Sequence, residues 1–197
     1  MGLAFHYYHE TYGSLPPALL NDQDSDPVHS WRILILPYWD RKDLYSNYDF
    51  SVSWNHPANS RVAAYRDDNS FFYGCLSGQS QQSGTTNYVA VIGDGTAWPG
   101  RTASKFVDFT DDLATTILVL EVPDNDILWL EPKDITLEQL LAQGLEGNHA
   151  YHVNVLFADG RVDKIRKDID STTLRALLTI SGGETINAED WQVAEIR

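Results

Sequence analysis

One cysteine, Cys75, stands in 197 residues. A lone cysteine leaves no intramolecular disulfide and no cysteine-based zinc site. It reads as a small buried apolar residue rather than a nucleophile. Positive charge is scarce as well: 14 Lys and Arg stand against 28 Asp and Glu, a formal net charge of −14. Phosphate backbones and anionic membrane surfaces repel such a balance, and no basic cluster interleaved with aromatics offsets it. No nucleic-acid partner is therefore expected. No run approaches 18 apolar residues, so the sequence itself contains no membrane-spanning helix. GxSxG, Walker A, GxGxxG, HExxH and paired-carboxylate patterns are missing too, and no enzyme is expected.

What is present is a core-forming composition. Hydrophobic residues make up 43% of the chain, enough for one domain over 1–197. Residues 3–12 read as a short amphipathic helix, with Leu3 and Tyr7, Ala4 and Tyr8, and Tyr8 and Tyr12 spaced i,i+4. Gly13 is its expected stop. The pattern is already helical at MGLAFHYYHETYG, so the helix is expected to be the tail of a longer one. HSWRILILPYW, 29–39, reads as a short helix closed by Pro37. Strands are expected over 70–75, 87–92, 115–122, 127–130, 152–158 and 161–166, and helices over 136–143 and 171–181. Thr136 and Gln139 fit a capping box, Asp170 or Ser171 caps the last helix, and Gly182-Gly183 stops it. Asp159-Gly160 reads as a type I′ hairpin turn, pairing Phe157 near Val162 and Val155 near Lys164. Strand 152–158 is apolar on both faces and should be central. A helix followed by antiparallel strands with short inserted helices makes an α+β domain.

Few residues suggest chemistry. His149 and Asp159 are separated by an expected strand. At about 3.3 Å per residue they lie on the order of 30 Å apart and form no dyad. His6, His9 and Glu10 share a helix face at a spacing that could bind a metal, but no third histidine follows, and they read as a polar face. Asp108, Asp111 and Asp112 cluster before a strand and are calcium candidates, with capping and turn formation as the structural account. No other cofactor is expected. The chain has six Trp and ten Tyr. Trp31, Trp39, Trp54, Trp98 and Trp129 fall mostly near loops, where exposed rings would stack on sugars or anchor a protein interface, and buried ones would pack a core.

His149, nine residues, then Asp159-Gly160 matches the H-X9-DG signature of a large paralogous planctomycete family, catalogued as a domain of unknown function, number 1559. GLAFHYYHETYGSLPPA, HSWRILILPYWDRKDLYSNYDF, TNYVAVIGDGTAWPG, ATTILVLEV with WLEPKDITLEQL, VNVLFADGRV and STTLRALLTISGGE resemble its blocks. The resemblance covers nearly the whole chain. It implies a pseudopilin-like protein, with a prepilin leader and a long hydrophobic helix whose second half packs on an antiparallel sheet. The expected fold is then pilin-like α+β, with a truncated N-terminal helix and long inserted loops. The expected location is periplasmic or cell-surface, anchored in the membrane through the missing part of that helix. The implied partners are other pilin-like subunits or secretion machinery. An extracellular module binding a solute or polysaccharide is the competing implication. The chain departs from the family at Asp111-Asp112-Leu113, where an Asp-Gly pair is usual.

Overall fold

The structure, a computed structural model, describes residues 1–20, 29–65, 84–123, 126–147 and 149–193. The expected strand 70–75 and Cys75 lie outside these residues. The first helix, α1 (Gly2–Tyr12), stops where Gly13 turns left-handed at φ 74° and donates its N–H to His9 O. Glycine enters that conformation at little steric cost. α1 buries Ala4, Phe5 and Tyr8. Phe5 closes an aromatic triad, 5.4 Å from Trp31 and 5.7 Å from Trp98, with the two indoles 5.5 Å apart.

The stretch after α1 is irregular. β1 (Leu19–Leu20) pairs antiparallel with β2 (His29–Ser30). Ser30 caps the one-turn helix α2 (Trp31–Leu34), which runs into a 3-10 turn at Leu36–Tyr38. The single helix expected over 29–39 is therefore broken, since Pro37 cannot donate a helical N–H. α3 (Lys42–Ser46) and α4 (Ser60–Ala63) follow.

The sheet comes next. β3 (Tyr88–Val89) and β4 (Val91–Ile92) replace the single strand expected at 87–92. β3 joins β5 (Ile117–Glu121), while β4 pairs parallel with β6 (Ile135–Thr136). The break falls at Ala90, whose N–H donates to Asp134 Oδ1 at 2.9 Å instead of to a neighbouring strand. Thr136 and Gln139 form the expected capping box on α5 (Leu137–Gln143). β7 (His152–Phe157) lies between β5 and β8 (Val162–Arg166), so the antiparallel order is β3-β5-β7-β8 and β7 is central. Asp170 caps α6 (Ser171–Leu178), and α7 (Ala188–Trp191) closes the described chain.

Four further expectations are corrected. Residues 127–130 make no strand: Leu128 only bridges Thr85, and Glu131 N–H closes a turn on Leu128 O. α6 ends at Leu178, before Gly182-Gly183, because Thr179 goes extended and bridges Thr96. The β7–β8 register is one residue off, with Leu156 opposite Val162 and Val155 opposite Asp163. Gly160, at φ 89°, is left-handed whereas Asp159 is not, so the turn is not type I′. Gly160 N–H and Phe157 N–H bond to Phe157 O and Arg161 O, which gives a three-residue loop.

Each face of the sheet covers its own core. Ile117, Leu120, Val153, Val155, Phe157 and Ile165 pack with residues of α5, α6 and α7. Leu118, Val119, Leu156 and Ala158 pack with Ala4, Phe5, Tyr8, Trp31 and Trp98. Leu118 and Val119 share a side because β5 shifts register between Ile117 and Val119, and a bulge resets the alternation. The fold is thus α+β, with the N-terminal helix against one face of an antiparallel sheet.

A buried ion pair ties the first core to the sheet. Arg32 Nη2 lies 2.7 Å from Asp134 Oδ1, and neither side chain is exposed. Arg32 also donates to Tyr88 O at 2.8 Å and Ser30 Oγ at 3.0 Å, and Trp31 Nε1 donates to Asp134 Oδ2 at 3.2 Å. Removing one partner strands the other charge. Asp134→Ala is expected to cost about 3–5 kcal/mol in urea unfolding. The double replacement Arg32→Met with Asp134→Leu is expected to cost less, and a double variant weaker than the single one would refute this account.

Candidate functional site

The span from His149 to Gly160 has two stations at opposite ends of β7. At the turn end, Asp159 Oδ1 accepts Arg161 N–H at 2.9 Å, and Asp159 N–H donates to Leu113 O at 3.1 Å. α1 lands on this turn. His6 Nε2 lies 3.0 Å from Ala158 O, and a Cβ built on Gly2 would come within 2.7 Å of Gly160 Cα. Two glycines therefore let helix and turn touch backbone to backbone.

At the other end, His149 faces a buried carboxylate. Glu121 is fully buried. Alternation from Leu120 and Val155 puts it beside Asn154, on the sheet side away from α5 and α6. Its Oε2 accepts from Asn154 Nδ2 at 2.5 Å and from Asn154 N–H at 3.2 Å, whereas its Oε1 has no hydrogen-bond partner. His149 Nε2 is 3.3 Å from Asn154 Nδ2 and 3.7 Å from Glu121 Oε2. The His149 ring stacks on His152, with centroids 4.3 Å apart and planes at 17°. Burial first, then the neighbouring His149 and Lys164, hold the His152 imidazole below its ordinary pKa, and Glu121 opposes them. Next to this cluster lies a cavity of about 710 Å³, lined in part by Tyr151, His152, Arg166, Asp168 and Gln192. Arg166 is held in a two-pronged pair with Asp168, at 2.6 Å for each bond.

The other candidates fall elsewhere. Trp31, Trp98 and Trp129 are buried, so they offer no stacking surface. Their indole N–H groups donate to Asp134, Leu118 O and Ala63 O. Trp39 and Trp54 are half-buried against the first core. Asp108 accepts the Lys105 N–H, Asp111 accepts the N–H groups of Gly182 and Gly183, and Asp112 accepts from Ala114. These carboxylates cap and brace loops. Among the described residues no group of three or more His, Cys, Asp or Glu side chains is placed to hold a metal ion. His6 and His9 both lie against the Phe106 ring, and His9 Nε2 accepts Phe106 N–H, so this face of α1 clasps a loop.

Glu121, His152 and Asn154 were not singled out from the sequence. A signal existed for Glu121, a lone charge inside TTILVLEV. A charge amid aliphatic strand residues is buried with a partner or sits at an edge.

Residues 1–116 match the family described as a protein of unknown function (DUF1559). That is more than half of the 197 residues, and the chain belongs to that family. No curated protein and no solved structure matches it. Among the described residues no helix is long and apolar enough to cross a membrane.

The bracing roles of the aspartates are testable. Calcium added to the EDTA-treated protein is expected to leave Tm unchanged in a thermal melt. Asp111→Ala is expected to lower stability by about 1–2 kcal/mol, because two charge-assisted bonds to the 182–183 amides are lost. A calcium-dependent rise in Tm that Asp111→Ala abolishes would establish the calcium reading.

Proposed function

We propose that this chain is the head of a pseudopilin-like protein, held at the periplasmic or cell surface through a hydrophobic extension of α1, with a role in assembly and without catalysis. The observation that carries the reading is the two-sided character of α1. One side buries Ala4, Phe5 and Tyr8 on the core, while Leu3, Tyr7 and Tyr12 remain 70%, 51% and 59% exposed. A helix that serves only to cover a sheet keeps its outer side polar. Large apolar side chains on the outer side suit contact with helices of neighbouring subunits. In this reading the H-X9-DG signature is structural: its Asp-Gly turn seats α1, and its histidine closes over Glu121.

The alternative, an extracellular module binding a solute or polysaccharide, is favoured by the 710 Å³ cavity, which has the size of a small-ligand site. The exposed Tyr151 ring and the Arg166–Asp168 pair at its mouth would suit a sugar.

Mass spectrometry of the mature N-terminus of the protein from its native cells separates the two. The expected result is an N-methylated residue followed by a hydrophobic helix leading into GLAFHYYHE. A signal-peptidase cut with no hydrophobic helix would overturn the assembly reading.

A further inference from the structure

We propose that the stacked pair His149–His152 is an acid-sensitive latch that holds residues 149–151 against the sheet. The proposal stands on the stack, on the buried carboxylate beside it and on the cavity wall attached to it, and it does not depend on the assembly role.

Two imidazoles with centroids 4.3 Å apart carry either no charge or one charge comfortably. The groups that face them decide how readily His152 takes a proton. β5 contributes Glu121, and the pair of β7 and β8 contributes Lys164 and Arg166. Lys167 follows, with its Nζ donating to Gly147 O at 2.7 Å. Asp168 is taken by Arg166. Glu121 is the carboxylate that opposes the positive groups around His152. His149 lies between His152 and this carboxylate, with its Nε2 3.7 Å from Glu121 Oε2. A proton on His152 faces His149, Lys164 and Lys167, with Glu121 alone opposing them.

The sign follows from His152. The folded state holds its imidazole below the ordinary value, so the unfolded chain binds that proton more readily. The stabilisation is complete above the ordinary histidine range and is lost as pH falls through the lowered value. The strain is relieved when His149 leaves the stack. Ala150 and Tyr151, which line the cavity, move with it. The Lys167 N–H, which donates to Tyr151 O at 3.1 Å, then loses its acceptor. Acid thus remodels the cavity without unfolding the sheet.

Amide exchange followed by NMR at about pH 7.5 and about pH 5.5 tests this, with rates corrected for intrinsic chemistry. The Lys167 amide is the reporter, and the Ala158 amide, bonded to Thr116 O at 2.8 Å, is the control. Lys167 exchange is expected to rise roughly tenfold at the lower pH while Ala158 stays protected. His149→Gln and His152→Gln are each expected to remove that rise. Because replacement of half-buried His152 can perturb the fold, ring titration in the unaltered protein provides a second reading. The His152 ring should titrate with the same midpoint as the Lys167 exchange. Lys167 protection indifferent to pH would overturn the latch. So would an undiminished rise in His149→Gln, or a His152 titration with no change at Lys167.

Discussion

Arg32 and Asp134 lie 2.7 Å apart out of contact with water, and the rest of the architecture is organised around them. Taking two charges out of water costs several kcal/mol each, so such a pair contributes more to uniqueness than to net stability. Here uniqueness is legible in the bonds. Arg32 reaches the carbonyls of Tyr88 and Glu131, and Asp134 takes the amide of Ala90 and the indole N–H of Trp31. One pair thereby positions α2, the β3–β4 break and the 131–134 crossing together. An apolar pair of the same volume would fill the space without saying which backbone atoms belong beside it.

Glu121 shows the same logic at the sheet. The bulge between Ile117 and Val119 resets the alternation of β5, so Glu121 falls on the side away from α5 and α6. There it meets Asn154 and His149. Without the bulge, the strand would turn Glu121 towards Val153, Val155 and Ile165, where nothing could compensate its charge. The bulge and the carboxylate therefore explain each other, and His149 completes the arrangement.

Local chemistry was legible in the sequence wherever a residue's role is settled by its chain neighbours. Gly13 ends α1, Thr136 and Gln139 box α5, and the doubly apolar run at 152–158 gives β7, an interior strand. What failed needed a distant partner. The 87–92 strand splits because Asp134, 44 residues on, takes the Ala90 amide. The tryptophans fall near loops in sequence, yet those loops wrap inward, and Trp31 and Trp98 meet Phe5 of α1. The hairpin register slipped by one because Asp-Gly serves both two-residue and three-residue turns, and the α1 contact at Gly160 is invisible locally. Glu121 looked like one more strand residue because its partners, His149 and Asn154, lie 28 and 33 positions away.

The family match ends at residue 116, one position before β5 begins. The matched stretch supplies α1 and, of the four-stranded sheet, β3 alone. Its apolar residues share a core with strands from beyond that point: Phe5 and Trp98 pack with Leu118, Leu156 and Ala158. Each of the main clamps crosses the same line, Gly2 to Gly160, His6 to Ala158 and Arg32 to Asp134. A helix as short as α1 is marginal by itself. Its residues are therefore constrained by a sheet that lies almost wholly outside the matched region. The turn under Gly2, the carboxylate opposite Arg32 and the carbonyl of Ala158 are the points at which the second half of the chain holds the matched stretch.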